Sequence, residues 1–344
     1  VKLQLPTAGI KKGKTGYSTS QKELDKLRPH HPIIGLVERY RELTKLQNTY
    51  VEALPQLTDD AGYIHTTFNQ DVVATGRLSS TDPNLQNIPI RSELGRHIRD
   101  AFVPAPGNVF VNADYSQFEL RLAAVLSGEE AMIRDFNTDI DIHANTAAQV
   151  YGVPLDVVTK EQRRRAKVVN FGVLYGMSQH GLAAAAQMSY AEAQHFIDEY
   201  YRLRPKLKAY MAQTIQQAHD AGFVQTLFGR RRWTPDVASR NFAVRSAAER
   251  AAANMPIQGT EADLMKLAML AVEDKLAQAG EQQGDGQPLG WQVVQIHDSI
   301  MVECPRAHAE QVSHILRETM EHIYPQLGVK LKVDVSIGDN WGQV

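Results

Sequence analysis

The sequence predicts an α+β chain in which short apolar strands lie on either side of a long helical middle. Residues 291–296 and 300–304 are apolar runs separated by a tight polar pair, the pattern of a β-hairpin. Residues 109–113 are a further apolar run of strand length. Between these strands, residues 129–280 are almost wholly helical in spacing, with Ala-rich stretches at 181–187 and 246–253.

At 344 residues and 43% hydrophobic, the chain can bury a core as one large domain or as two or three smaller ones. No apolar run approaches the ~20 residues of a membrane span, and no secretory signal opens the chain. The single Cys304 forms no internal disulfide, which fits a reducing compartment. A first residue of Val rather than Met suggests a piece of something longer. The formal net charge of −2 argues against a generic polyanion binder. It could do so no longer if the basic clusters at 11–14, 163–165 and 230–232 shared one face.

In chain order, residues 1–20 read as a loop. Apolar positions from Leu24 to Leu43 recur at helical spacing with a break near 29–32, so two helices are expected, closed by Pro55. Residues 63–70 alternate like a strand. Residues 75–89 form a polar, turn-rich loop carrying Arg77, Asn84, Gln86 and Asn87. Such groups can hydrogen-bond base edges and sugar oxygens in a minor groove, or simply tie the loop together.

The strand at 109–113 runs into Asp114, and an apolar helix over 118–126 follows, ending at Gly128. An acid at the end of a buried strand suits a metal ligand or a helix cap. Asp139 and Asp141 place acids in the first turn of a helix that includes His143. Next, Arg163, Lys167, Phe171 and Tyr175 recur every fourth residue, each step drifting ~40° around a helix axis. Two cations followed by two rings suit phosphates and a base, or an amphipathic surface helix with a solvated Arg run. Another helix spans 190–210, and 228–235 read as a basic loop. Arg250, Asn254 and Gln258 are four apart, although Pro256 should distort that stripe. Residues 281–290 read as a flexible surface loop. The hairpin then carries His297 and Asp298 at its tip, and a helix over 307–324 and a strand over 329–337 complete the chain.

Several of these blocks together resemble one family. The segment from Asp114 through Gln117 and Glu119 to Arg121 resembles motif A of the family A DNA polymerases, the class of bacterial DNA polymerase I. Arg163, Lys167, Phe171, Tyr175 and Gly176 resemble motif B, and His297-Asp298 resembles motif C. The blocks from Thr75 to Pro89 and from Asn254 to Gly259 follow the family's order. The similarity runs from near residue 3 to Trp341. It implies a right-hand polymerase fold: an antiparallel-sheet palm, helical fingers and a partial helical thumb. The thumb would be 1–57, the palm 58–130 and 291–344, and mainly fingers 131–290. Nothing resembles the exonuclease domains that usually precede these, so no proofreading and a weak grip on duplex are expected.

The resemblance implies template-directed addition of dNTPs to a primer 3′-hydroxyl, with two Mg²⁺ ions and Mn²⁺ as a substitute. Asp114 and Asp298 would bridge the metals, with the Tyr115 carbonyl as a further ligand. Arg163 and Lys167 would hold the triphosphate, and Lys167 could also protonate pyrophosphate. His143 and Gln117 match positions lining that pocket. Phe171 would lie against sugar and base, Glu119 would exclude a ribose 2′-hydroxyl, and Tyr175 would hold the template stacking position until the helix closes. Lys45, Arg77, Asn84, Asn87, Arg250, Asn254, Gln258 and His297 would contact the primer–template. The implied partners are primer–template DNA and dNTPs, with no membrane, acting as a cytoplasmic monomer, nucleoid-associated if bacterial.

One position departs from the family: Ser299 stands where motif C usually has Glu. His-Asp-Ser resembles single-subunit phage RNA polymerases instead, so RNA synthesis is the first alternative, opposed by Glu119 and Phe171. A catalytically weak DNA-binding fragment is the second.

Overall fold

The computed structural model describes residues 3–90, 92–284 and 286–344. At its centre is a four-stranded sheet in the order Trp291–Ile296, Ser299–Pro305, Asn108–Tyr115, Val333–Gly338, with every neighbouring pair antiparallel. Side chains alternate across a strand, and Asn108–Tyr115 uses both faces. Val109, Val111 and Ala113 enter the main core with Ile300, Val302 and Leu264. Phe110 points the other way, into a smaller core with Met301, Trp341, Leu46 and Tyr50. Asn112 and Asp114 continue on that second face, where the apolar packing gives way to an open cavity.

The two N-terminal helices form as expected, Gln21–Leu27 and Ile33–Leu46, and the second supplies Leu46 to the smaller core. The helix Phe118–Ser127 ends on Gly128 in the left-handed conformation (φ 65°), where a residue without Cβ is favoured. The final helix and strand also form, shorter than expected, over Ala309–Glu321 and Val333–Gly338.

Elsewhere the structure corrects the sequence. The alternation at 63–70 yields only the strand Thr67–Asn69. Its partner, Ser79–Thr81, lies inside the segment read as a loop. The basic segment at 228–235 is half of a second small hairpin, Phe223–Gln225 paired with Arg231–Trp233. Three-residue strands are too short to show a period, so only pairing reveals them. Pro256 does not end its helix, which runs unbroken from Phe242 to Gln283 and absorbs the first residues of the expected loop at 281–290. The proline forfeits one hydrogen bond of the ladder, while buried neighbours such as Met255 and Ile257 hold the helix in place. Asp285, within that same expected loop, lies outside the described residues. Among the described residues, no helix is long and apolar enough to cross a membrane.

Gly259 lets the loop before Arg77 and the small hairpin lie against this long helix. A Cβ there would stand 2.5 Å from Thr226 Cγ2 and 3.2 Å from the Thr75 carbonyl. Gly259→Ala is therefore expected to lower stability by about 1–3 kcal/mol through overpacking. Urea unfolding of the two proteins checks this, and an unchanged midpoint would refute the close-packing argument.

Candidate active site

The acidic centre is assembled by the sheet. Asp114 sits directly opposite Ser299 on one neighbouring strand and opposite Asp334 on the other. The hairpin tip turns at His297, whose left-handed backbone (φ 51°) brings Asp298 beside the end of the Asp114 strand. The Tyr115 amide donates to the Asp298 carbonyl at 3.1 Å, and Ser299 Oγ donates to the Ile296 carbonyl at 3.0 Å, so both ends of the turn are fixed. The two carboxyl groups are close enough for each to act on the other's protonation, and both border one cavity. Burial, with the charges of Asp298 and Asp334, pushes Asp114 up to about 7. Burial likewise raises Asp298. They open into a cavity of about 910 Å³, which Lys45, Asn87 and His297 also border.

A divalent cation suits this donor set. Two carboxyl groups that repel each other's charge would be satisfied together by one, and Mg²⁺ commonly binds one or two carboxylates plus substrate phosphates. No group of three or more His, Cys, Asp or Glu side chains among the described residues is arranged to hold a metal alone. Tyr115 has its ring stacked on Phe118 at 4.1 Å and its hydroxyl bonded to the Met320 carbonyl at 2.7 Å, so its backbone position is well anchored.

The cation stripe lies on the helix Lys160–Leu174, which begins at a capping box formed by Thr159 and Gln162. Its inner face buries Ala166, Val169, Asn170, Val173 and Leu174. Arg163 and Lys167 point outward, Phe171 is half-buried against the main core, and Tyr175 caps the end. The Arg run is not free cationic surface: Arg163 pairs with Asp141 at 2.7 Å, and Arg164 and Arg165 pair with Glu161. Lys167 is exposed and forms no ion pair among the described residues.

His143 lies behind the stripe, 1% exposed, with its ring 5.7 Å from Phe171. Asn170 Nδ2 donates to His143 Nδ1 at 2.8 Å, which leaves the proton of the neutral ring on Nε2. That Nε2 is buried without a partner. Burial drives the imidazole down to about 4, with Arg163 and Lys167 adding to the effect against the pull of Asp141.

Glu119 holds the third cluster together. Gln117 takes a left-handed backbone (φ 50°) at the start of the helix Phe118–Ser127, which puts Glu119 in its first turn. One Glu119 oxygen accepts from Arg77 at 2.9 Å, and the other accepts a short hydrogen bond from the Tyr175 hydroxyl. Gln258 Nε2 stands 3.5 Å from the first of these oxygens. Arg77 Nη2 also donates to both oxygens of the buried Glu261, at 2.7 and 2.8 Å. Against desolvation, Glu261 and Glu119 raise the Arg77 guanidinium above its ordinary value. Burial raises Glu261 above the carboxylate range despite the pull of Arg77.

The expected DNA-contacting residues fall into three groups. Lys45, Asn87 and His297 are exposed at the acidic cavity. Arg77 and Gln258 instead face Glu119 and are engaged within the protein. Asn254 departs most from expectation: it is buried, with its amide 3.4 Å from the Leu174 carbonyl, because the long helix packs against the end of the stripe helix. Arg250 is exposed but lies across Gly176, where a Cβ would meet its Cγ at 2.7 Å. Asn84 accepts from Ser80 Oγ at 3.1 Å and stays near the small sheet. Gln86 likewise ties its loop to the Gln295 carbonyl at 3.0 Å. Sequence reasoning missed Glu261, Asn170 and Asp334. Glu261 carried a usable signal, an acid one helical turn beyond Gln258, whereas Asp334 was marked only by strand register.

With this geometry in view, the comparisons are consistent. The sequence matches the profile of DNA polymerase family A over residues 1–343. It is 48% identical over 341 residues to the thermostable DNA polymerase I of Thermus aquaticus, covering 98% of this chain and 40% of that protein. It is 46% identical over 342 residues to DNA polymerase I of Bacillus subtilis, covering 99% and 38%. The fold matches the POL domain of Pol1 from M. smegmatis, solved in complex with DNA primer-template and dNTP. The TM-score is 0.88 at 41% identity, covering 99% of this chain and 59% of that one. This chain belongs to DNA polymerase family A. It spans about 40% of the length of the curated relatives it matches. The α+β architecture with its antiparallel sheet is that of the right-hand polymerase fold.

The buried His143 gives a pH test. Its folded-state value of about 4 lies below the ordinary 6.5, so the folded protein resists protonation there. Its contribution to stability is full above pH 6.5 and is lost as pH falls towards 4. Replacing it by His143→Gln should remove about 2–3 kcal/mol of the stability lost over that range. Denaturant unfolding at pH 7 and pH 4.5 checks this, and parallel losses in both proteins would refute it.

Proposed function

We propose that this chain extends a primer 3′-hydroxyl with deoxynucleotides chosen by a DNA template. The observation that carries the reading is the contact between Asp114 and Asp298, two acids from distant parts of the chain that meet at the rim of an open cavity. Two Mg²⁺ ions held by these acids and the Tyr115 carbonyl would supply the positive charge that steadies the attacking and leaving oxygens. On this reading the sheet and its covering helices (58–130 and 291–344) form the palm, 131–290 mainly the fingers, and 1–57 part of the thumb.

The chain's own groups would then do the following. Lys167 offers an uncommitted ammonium to the triphosphate, and Arg163, steadied by Asp141, offers a guanidinium. The Nε2–H of His143 is a buried donor in need of an acceptor, and a phosphate oxygen near Phe171 would meet that need. Gln117 lies at the turn between strand and helix, at the N-cap of the helix that carries Glu119. Phe171 presents a flat face to sugar and base. Glu119 closes off the space beside the sugar, and the hydroxyl of Tyr175 must leave it for the helix to close. Lys45, Asn87 and His297 would meet the primer–template where they border the cavity. Arg77, Asn84, Arg250, Asn254 and Gln258 would support it from behind or make contact only after rearrangement.

RNA synthesis is the weaker reading. Ser299 is occupied in holding its own turn, and Glu119 is fixed at both oxygens.

Primer extension on a DNA template with Mg²⁺, supplied with dNTPs or with NTPs, tests the proposal. Extension is expected with dNTPs alone. Asp114→Ala and Asp298→Ala should each reduce it on the order of a thousandfold or more, because charge stabilisation is usually the largest single contribution. Efficient extension with NTPs would favour RNA synthesis. Retained activity in the Asp298→Ala protein would remove the acid pair from the mechanism.

A further inference from the structure

Glu261 is an ionisable side chain on the buried face of the long helix, 1% exposed, and the reading above gives it no task. It does not touch the cavity of the acid pair. Its two oxygens are both taken by one atom, Arg77 Nη2. That same nitrogen reaches Glu119, whose other oxygen holds the Tyr175 hydroxyl. The four side chains form one line across four parts of the fold: long helix, loop, first turn after the sheet, and stripe helix. The backbone just before Arg77 is closely packed, since Gly76 lies under Arg230 and a Cβ there would come within 2.6 Å of Arg230 Nε, but that holds the loop and not the guanidinium. When Tyr175 leaves, Glu119 keeps only Arg77 and the distant Gln258 as partners. The position of Glu119 then depends on what fixes Arg77, and that is Glu261.

We propose that Glu261 is a positioning residue which, through Arg77, holds Glu119 in place and so sets how strictly the site rejects a ribose 2′-hydroxyl. The proposal rests on the polymerase reading and deepens it. Removing the Glu261 carboxylate leaves the guanidinium with one acid and room to turn. Glu119 then follows Arg77, and the space beside the sugar widens. A deoxynucleotide, having nothing at that position, is little affected.

Single-nucleotide insertion by the full chain, with a dNTP and its matching rNTP, tests this. Glu261→Ala should lower the ratio of kcat/KM for dNTP over rNTP about tenfold, mainly through a lower KM for the rNTP. Glu261→Gln keeps one acceptor for Arg77 and should lower the ratio by less, about two- to threefold. Arg77→Ala should lower the ratio too, and adding Glu261→Ala to it should change little further, because the two act in series. A ratio unchanged in a folded Glu261→Ala protein overturns the proposal, as does full additivity with Arg77→Ala. If Glu261→Ala does not fold, Glu261→Gln decides: a ratio lowered by about twofold or more supports the proposal, and an unchanged one overturns it. A wild-type chain that inserts neither nucleotide sinks the polymerase reading and this proposal with it. Insertion of dNTP with unaltered discrimination in the variants sinks this proposal alone.

Discussion

The antiparallel register of the strand Asn108–Tyr115 is the constraint on which the rest of the site depends. Each of its neighbours fixes Asp114 independently, one against Ser299 and the other against Asp334. A slip of one residue would turn Asp114 into the main core and bring Ala113 to the cavity, exchanging an apolar face for a polar one. The main core resists that slip through Val109, Val111 and Ala113, all completely buried. The Asp114–Asp298 contact is thus held by packing on the opposite face of the sheet. Its precision comes from hydrophobic burial that has no part in the chemistry.

Two groups of acids lie close to this strand, and the protein treats them differently. Around Glu119 it supplies its own cation: Arg77 lies between Glu119 and Glu261, and the whole group is largely dry. Buried charges recover their desolvation cost only with such close pairing, and removing one partner of a buried pair typically costs about 3–5 kcal/mol. At Asp114 and Asp298 no ion pair forms among the described residues, and burial together with their mutual repulsion pushes Asp114 up to about 7. The first arrangement is rigid and closed, while the second is open to solvent and ready for a cation from outside. That contrast separates a shape-setting carboxylate from a metal-binding pair more clearly than sequence spacing does.

Much of this was legible in the sequence where a signal is local and long. The apolar run before Asp114, the two-residue hairpin tip and the four-residue period of Arg163, Lys167, Phe171 and Tyr175 all lie within a few residues, and each forms as read. What failed was non-local. The strand Ser79–Thr81 exists only because Thr67–Asn69 pairs with it, and Pro256 is tolerated only because neighbours pack around it. Arg77 shows the limit best. Its sequence context gives a polar loop, equally suited to DNA or to internal ties, and only the fold reveals the two glutamates, from distant helices, that claim it. Asn254 shows the same limit: the stripe it shares with Arg250 and Gln258 is real, but one turn of that stripe is covered by the end of another helix.

On the polymerase reading a net charge of −2 accompanies a polyanionic substrate, and part of the Arg complement is committed to internal ion pairs. Arg164 and Arg165 are taken by Glu161 and Arg230 by Asp263, whereas Arg231 and Arg232 form no ion pair among the described residues. Near the site, Lys45 at the cavity and Lys167 on the stripe carry no ion pair among the described residues, while Arg163 is shared with Asp141. On the polymerase reading this has a consequence. An acidic pair beside a triphosphate repels it until a cation intervenes, so nucleotide and divalent ion each lower the electrostatic cost of binding the other. That mutual dependence makes occupation of the site depend on the complete set of reactants.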